Sequence, residues 1–538
     1  MSLRSLVALR GMLVAGVVAL SLAGMPWAET PRHASAAPAG GGAIVIAIRA
    51  EPDTLDPHAT GSRRAYAVMK NVFDTLVYRG PDNKFHPWLA ESWEHSADGK
   101  TYRFRLRRGV RFHDGTPFNA EAVVFNLNRI VDPATRSRTA RALLGPYERS
   151  RAVNANTVEI TFASTVSPSG LLDSLSQAWF GMVSPAAARA AGADFGRRPV
   201  GTGPYRFREW RPQNQIVLER FPGYDWGSPA FNRKAPALGE ITFRFIPEDA
   251  TRVAALERGE VDLVQEVATD AVERFTRNPT YVVVRGVAPG GPVIFWLNTE
   301  AELLSDVRVR KAILHGFNRN GLVRGVYQGH VVPAEGPLSP STWGYTKKVE
   351  GLYRYDPSRA KRLLEEAGWT PGPDGTRVKG GRPLALRLGD LFDRRRGEYF
   401  QANMRQIGVH IEFRLVSSAE LFGMTRRAGD YEMASTWYAS SDPHILNLLF
   451  HSSNVGTGFA ISRWRDQTLD AKLAEAFATM DDARRAAIYE EIQLYIMERA
   501  LLVPLYAETE IDAIKARFKG YRLDRGQYPE LFEVVIQD

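Results

Sequence analysis

The side chains whose types and spacing suggest chemistry fall in the last third of the chain. Arg394, Arg395 and Arg396 form the densest basic run, Trp437 and Tyr438 stand shortly before Asp442-Pro443-His444, and His451 follows His444 by seven positions. A guanidinium suits a carboxylate because its planar fork donates two parallel hydrogen bonds. Rigid aromatic faces suit the apolar part of a ligand. The machinery of a reaction is missing: the sequence holds no Gly-x-Ser-x-Gly elbow, no His-Glu-x-x-His helix, no Walker loop and no cysteine. Isolated carboxylates such as Asp114 and Glu266 cannot be paired with a partner from sequence. His444 and His451 are spaced to share a helix face, yet two imidazoles alone do not close a metal site. The arginine run is short and lacks the interleaved aromatics of a nucleic-acid groove. The residues point to binding, with no catalytic residue, metal, cofactor or nucleic-acid partner expected.

Positioning such side chains takes more than one core. At 538 residues the chain exceeds what a single hydrophobic interior serves, so two or more lobes are expected. Apolar residues at 44% and charged residues at 24% are ordinary for a globular protein, and the net charge of +9 is mild, which solvated surface charge explains. Strand patterns and amphipathic helices are mixed without strict alternation. Ala43–Ile48 reads as a buried strand, and Tyr102, Phe104 and Leu106 alternate with Arg103, Arg105 and Arg107 at the period of a half-buried one. Further strands are predicted at 157–162, 216–221, 241–246, 282–285, 293–297 and 410–416. Asp356-Pro357 supplies a cap and a preset φ for a helix that Gly368 stops; the same signals predict helices over 119–130 and 482–499. The class is α/β.

The N-terminus carries a separate message. Arg4 and Arg10 precede an apolar run from Met12 to Met25, shorter than the roughly 20 residues of a bilayer span. This is the pattern of a cleavable secretory signal, with cleavage expected after Ala36, where Ala34-Ser35-Ala36 gives a small-x-small site, or after Ala28. Residues 37–43 then form a flexible leader. With no cysteine to carry a lipid anchor, the expected location is the periplasm.

Four segments resemble the family-5 extracellular solute-binding proteins, relatives of the dipeptide, oligopeptide, glutathione and nickel receptors of ABC importers. They are Leu89–Trp93 with Asp98–Arg107 and Gly109–Phe118; Val200–Tyr205; Asp306–Ile313 with Tyr327-Gln328-Gly329; and Tyr355–Pro357 running to Ala367-Gly368-Trp369. With Glu51–Pro57, the likeness spans roughly residues 44 to 515. Most of these motifs read as scaffold: Asp98-Gly99 as a hairpin turn, Gly201 and Gly203 as positions of positive φ.

The resemblance implies a two-lobe periplasmic binding protein of type II, cluster-C-like, with an extra subdomain at about 85–200. Lobe I would take residues 44–290 and 508–538, lobe II residues 291–507, with crossings near Pro289–Val293 and Leu502–Tyr506. It further implies a monomer that hands a small peptide or peptide-like solute to a permease, the alternatives being a nickel chelate, an opine or a glycan. By the same resemblance Arg394 or Arg395 would hold the ligand's carboxylate, and Trp437 and Tyr438 would line the cleft. Where peptide-binding relatives carry an ammonium-binding aspartate this chain has Ala439, which leaves Asp442 as the substitute. Ser441 stands where the nickel-receptor branch has an aromatic.

Overall fold

A computed structural model describes residues 41–537 apart from Phe392 and Gly458. The expected signal peptide and the first part of the expected leader lie outside the described residues. The architecture is mixed α/β, with two large sheets and a smaller antiparallel one. The seven-stranded sheet runs in the order Tyr281–Val287, Thr509–Lys515, Leu263–Val264, Ala43–Ile48, Glu240–Phe245, Gln215–Arg220, Tyr205–Arg211. Its central strand Ala43–Ile48 pairs in parallel with both neighbours. The six-stranded sheet runs Val332–Pro333, Leu502–Ala507, Gly290–Leu297, Met433–Ala439, Ala385–Asp390, His410–Leu415. The four-stranded sheet, Ala90–His95, Thr101–Leu106, Thr157–Phe162 and Tyr147–Asn154, packs into the same core as the first large sheet. The second large sheet has a core of its own around Trp296, Phe400 and Tyr489.

The patterns that call for these elements are the ones that bury. In Thr101–Leu106, Tyr102, Phe104 and Leu106 are buried while Arg103 and Arg105 face solvent. Asn119, Asp356 and Asp481 each accept from a backbone N–H of the first turn, starting the helices Ala120–Val131, Pro357–Glu366 and Asp482–Glu498. Gly99 takes φ +64° in the predicted hairpin turn. Gly201 and Gly203 differ from expectation: neither has positive φ. A Cβ on Gly201 would lie 2.1 Å from the Val72 carbonyl oxygen, so close backbone approach dictates glycine there.

Two adjacent crossings join the sheets. Ala288-Pro289 leads from Tyr281–Val287 into Gly290–Leu297, and Glu508 leads from Leu502–Ala507 back into Thr509–Lys515. Gly290 sits at φ +112°, and a Cβ there would meet the Tyr438 carbonyl oxygen at 2.3 Å. The first crossing therefore presses against the strand end that carries Trp437 and Tyr438.

A buried carboxyl in the first core gives the fold a pH dependence. Asp74 accepts from Trp226 Nε1 at 2.9 Å and Tyr224 Oη at 3.1 Å, and burial pushes it up to about 7. A carboxyl raised above its unfolded value stabilises the fold below that value and ceases to do so as pH rises through the folded one. Between pH 5 and 7 this group is expected to cost roughly 2 kcal/mol of stability. Urea unfolding at the two pH values should show that the change in stability from pH 5 to pH 7 is less unfavourable in Asp74→Asn than in the parent by about that amount.

Candidate functional site

Between the lobes lies a cleft with a cavity volume of 1340 Å³. The first lobe contributes the helix Arg63–Val72, whose Arg63, Tyr66 and Lys70 face it, the region from Asp173 to Trp179, and the tip of the hairpin Arg522–Leu523/Pro529–Glu530. The second lobe contributes Trp437 through Asp442, the end of the strand Met433–Ala439, followed by His444.

Local hydrogen bonds hold these walls. Within the hairpin tip Asp524 N–H donates to the Tyr528 carbonyl at 2.9 Å, Asp524 Oδ1 accepts from Tyr528 N at 3.0 Å, and Lys70 Nζ reaches Asp524 Oδ2 at 2.5 Å. Tyr528 stacks on Tyr66 with ring centroids 3.8 Å apart, and the Arg63 guanidinium lies over Tyr528 at 4.5 Å and Trp437 at 5.2 Å. The tip thereby presents Arg525 to the cleft. Its Nη2 donates across the lobes to the Ser341 carbonyl at 3.3 Å, while its Nε is buried without an acceptor. Trp437 Nε1 is likewise a buried donor with no acceptor.

The charges are arranged unevenly. Arg485 grips Asp442 in both directions, Nη1 to Oδ2 at 2.8 Å and Nη2 to Oδ1 at 2.6 Å, and His444 N–H donates to Oδ1 at 2.8 Å. Burial pushes Asp442 up, but the Arg485 guanidinium outweighs it and holds the carboxyl below its usual range. Asp173, paired with Arg79 and accepting from Gln177 Nε2 at 3.1 Å, stands above the usual range because burial dominates and Asp442 adds its charge. Burial pushes His444, stacked on Phe477 at 4.2 Å, down to about 4, so its imidazole is neutral at physiological pH. Among the described residues Arg138, Arg426 and Arg525 line the cleft with no carboxylate within ion-pair distance.

The residues singled out from sequence fare differently. Trp437, Tyr438 and Asp442 come together in the cleft, but Asp442 is occupied by Arg485. Arg394, Arg395 and Arg396 do not precede a helix; they form the first turn of Arg394–Gln406, capped by Asp393. Successive helical residues are rotated by about 100°, so the three point apart. Arg394 is exposed beside Glu398, 3.7 Å away, and lines no part of the cleft. Arg395 is held by Asp393 at 2.8 Å and faces a second cavity of 1060 Å³. Arg396 is buried against Asp390, Ser435 and Tyr506. His444 and His451 flank the short helix Ile445–Phe450 and so share no helix face. Sequence reasoning missed Arg525, Arg485 and Arg79, which carry no motif.

The family model for bacterial extracellular solute-binding proteins, family 5 (middle), matches residues 84–457. The chain belongs to that family. This family-5 protein is 30% identical to the nickel-binding periplasmic protein of Escherichia coli K12, over 84% of this chain and 86% of that one. It is 28% identical to the glutathione-binding protein GsiB of Pectobacterium atrosepticum, over 95% of each. Among solved structures, NikA from Brucella suis in complex with Fe(III)-EDTA superposes with a TM-score of 0.81 at 26% identity, covering 92% of this chain and all of that one. The family-5 protein is thus a two-lobe solute-binding component of an ABC transporter, and the cleft between its lobes is the place a solute fits.

Proposed function

We propose that this protein is a periplasmic receptor that captures a small carboxylate-bearing peptide or peptide-like solute in the inter-lobe cleft and delivers it to an inner-membrane permease. The observation that carries the reading is Arg525, a half-buried guanidinium facing the cavity with an unpartnered Nε and, among the described residues, no carboxylate within ion-pair distance. A donor-only group desolvated in this way gains most from an anionic acceptor. Trp437 and Tyr438 supply the apolar wall. The basic-then-apolar N-terminal pattern, together with a sequence free of cysteine, supports the periplasm. A monomer and a cognate permease accord with family membership.

A second reading, a metal held in a carboxylate chelator, is favoured by the nickel-binding relative and the Fe(III)-EDTA complex. Its chelator would meet the same arginines. Among the described residues no group of three or more His, Asp or Glu side chains is arranged to hold a metal, so the donors would come from the chelator. Mass spectrometry of what denaturation releases from the purified protein separates the two. Recovered acidic peptides support the first reading and a metal with an organic chelator supports the second. A neutral solute bound as tightly as its acid counterpart, measured by calorimetry, overturns both.

A further inference from the structure

Four carboxylates line the cleft, and each is already claimed by cations of the protein. Asp442 is gripped by Arg485, Asp173 by Arg79, and Asp524 and Glu530 share Lys70, at 2.5 Å and 3.4 Å respectively. Their side chains keep only 11%, 4%, 14% and 6% of their surface accessible. Further donors come from within: Gln177 Nε2 and the N–H groups of His444 and Tyr528 donate to Asp173, Asp442 and Asp524, and Tyr78 Oη to Glu530 Oε2 at 3.4 Å. The cations are distributed the opposite way. Arg138, Arg426 and Arg525 face the same space, and among the described residues none of them has a carboxylate within ion-pair distance.

We propose that the cleft selects carboxylate-bearing solutes that lack a free ammonium group, the class of N-acylated acidic peptides and amine-free di- and tricarboxylates. The inference rests on the carboxylate reading given above. An ammonium entering the cleft finds Asp173, Asp442, Asp524 and Glu530 each already ion-paired and meets three guanidinium groups with no carboxylate of the described residues within ion-pair distance, so it is disfavoured by repulsion as well as by competition for a partner. Arg79, Arg485 and Lys70 are then specificity-determining: by covering the acidic groups they convert a cleft with four carboxylates into one that reads as cationic. A ligand carboxylate, by contrast, meets guanidinium groups that no carboxylate of the described residues pairs.

The test is calorimetry on the mature protein, freed of ligand by unfolding and refolding, with Glu-Glu against N-acetyl-Glu-Glu, and N-acetyl-Glu-Glu against N-acetyl-Gln-Gln-amide, which carries no carboxylate. The acetylated acid is expected to bind about tenfold more tightly than the free amine, the size of a charge-based discrimination of roughly 1.4 kcal/mol. Equal or tighter binding of the free amine overturns the proposal while leaving the carboxylate reading in place. N-acetyl-Gln-Gln-amide bound as well as N-acetyl-Glu-Glu overturns the carboxylate reading itself. A second measurement needs no chosen probe: ligand released from the purified protein is treated with an amine-acetylating reagent. An unchanged mass is the expected result, and a mass increase overturns the proposal. Lys70→Gln, which uncovers Asp524 and Glu530, should narrow the preference for the acetylated member by at least about threefold; an unaltered preference removes Lys70 from the set of covering residues.

Discussion

Replacing Arg525 with alanine should weaken the binding of a carboxylate-bearing solute by about 30- to 150-fold, the equivalent of roughly 2–3 kcal/mol for a charge-assisted hydrogen bond formed out of water. Arg525 sits at the tip of a hairpin whose shape is set by Asp524, Tyr528 and Lys70, so truncation leaves the tip standing. Its side-chain hydrogen bond to the Ser341 carbonyl, at 3.3 Å, is long, and its loss accounts for little of the effect. The comparison that gives the result meaning is the double variant Arg394→Ala/Arg395→Ala. Arg394 lies outside the cleft and Arg395 is committed to Asp393 beside the other cavity, so affinity should stay within about twofold of the parent. Titration calorimetry on both variants decides. A large loss in the double variant with none in Arg525→Ala would return the carboxylate site to the helix of residues 394–406.

These two variants mark where sequence reasoning carries and where it stops. Elements whose cause is local were legible: the alternation of Tyr102, Phe104 and Leu106, the caps Asn119 and Asp356, and the Asp98-Gly99 turn each specify their structure within a few residues. The aromatic pair Trp437-Tyr438 was legible as cleft-lining because it ends a strand-like segment that runs to the cleft. The partners of charges were not. Asp442 and Arg485 are 43 residues apart and Arg79 and Asp173 are 94 apart, so which carboxylate is open depends on two chain segments meeting in space. The arginine run misled because three adjacent guanidinium groups look equivalent in sequence, whereas one helical turn sends them to solvent, to Asp393 and into the core. Gly201 was read as a turn residue although its need for glycine lies in the Val72 carbonyl, more than a hundred positions earlier.

Arg485→Leu is expected to destabilise the protein by about 3–5 kcal/mol, the cost of leaving a buried carboxylate without its counter-ion. Arg485 has no exposed side-chain surface; besides Asp442 it donates to the Ala476 carbonyl at 3.1 Å and lies over the Trp343 ring at 5.1 Å. The same guanidinium reaches Ser169 on the other lobe at 3.2 Å, and Ser169 Oγ donates to Asp482 Oδ1 at 2.6 Å. One arginine therefore neutralises Asp442 and bonds to the other lobe. Removing it should do two separable things. Unfolding in urea should move to lower denaturant, and Asp442, no longer held low, should take up a proton under mildly acid conditions, because burial alone pushes it up. The double variant Arg485→Leu/Asp442→Leu removes both charges and should recover most of the lost stability, since a buried ion pair is worth little against an apolar replacement of similar size. It should also bind solute more weakly than the parent if the Ser169 contact helps to close the lobes. Recovery of stability with unaltered affinity would confine Arg485 to neutralising Asp442, and failure to recover stability would show that its contacts with Ala476 and Trp343 carry the fold.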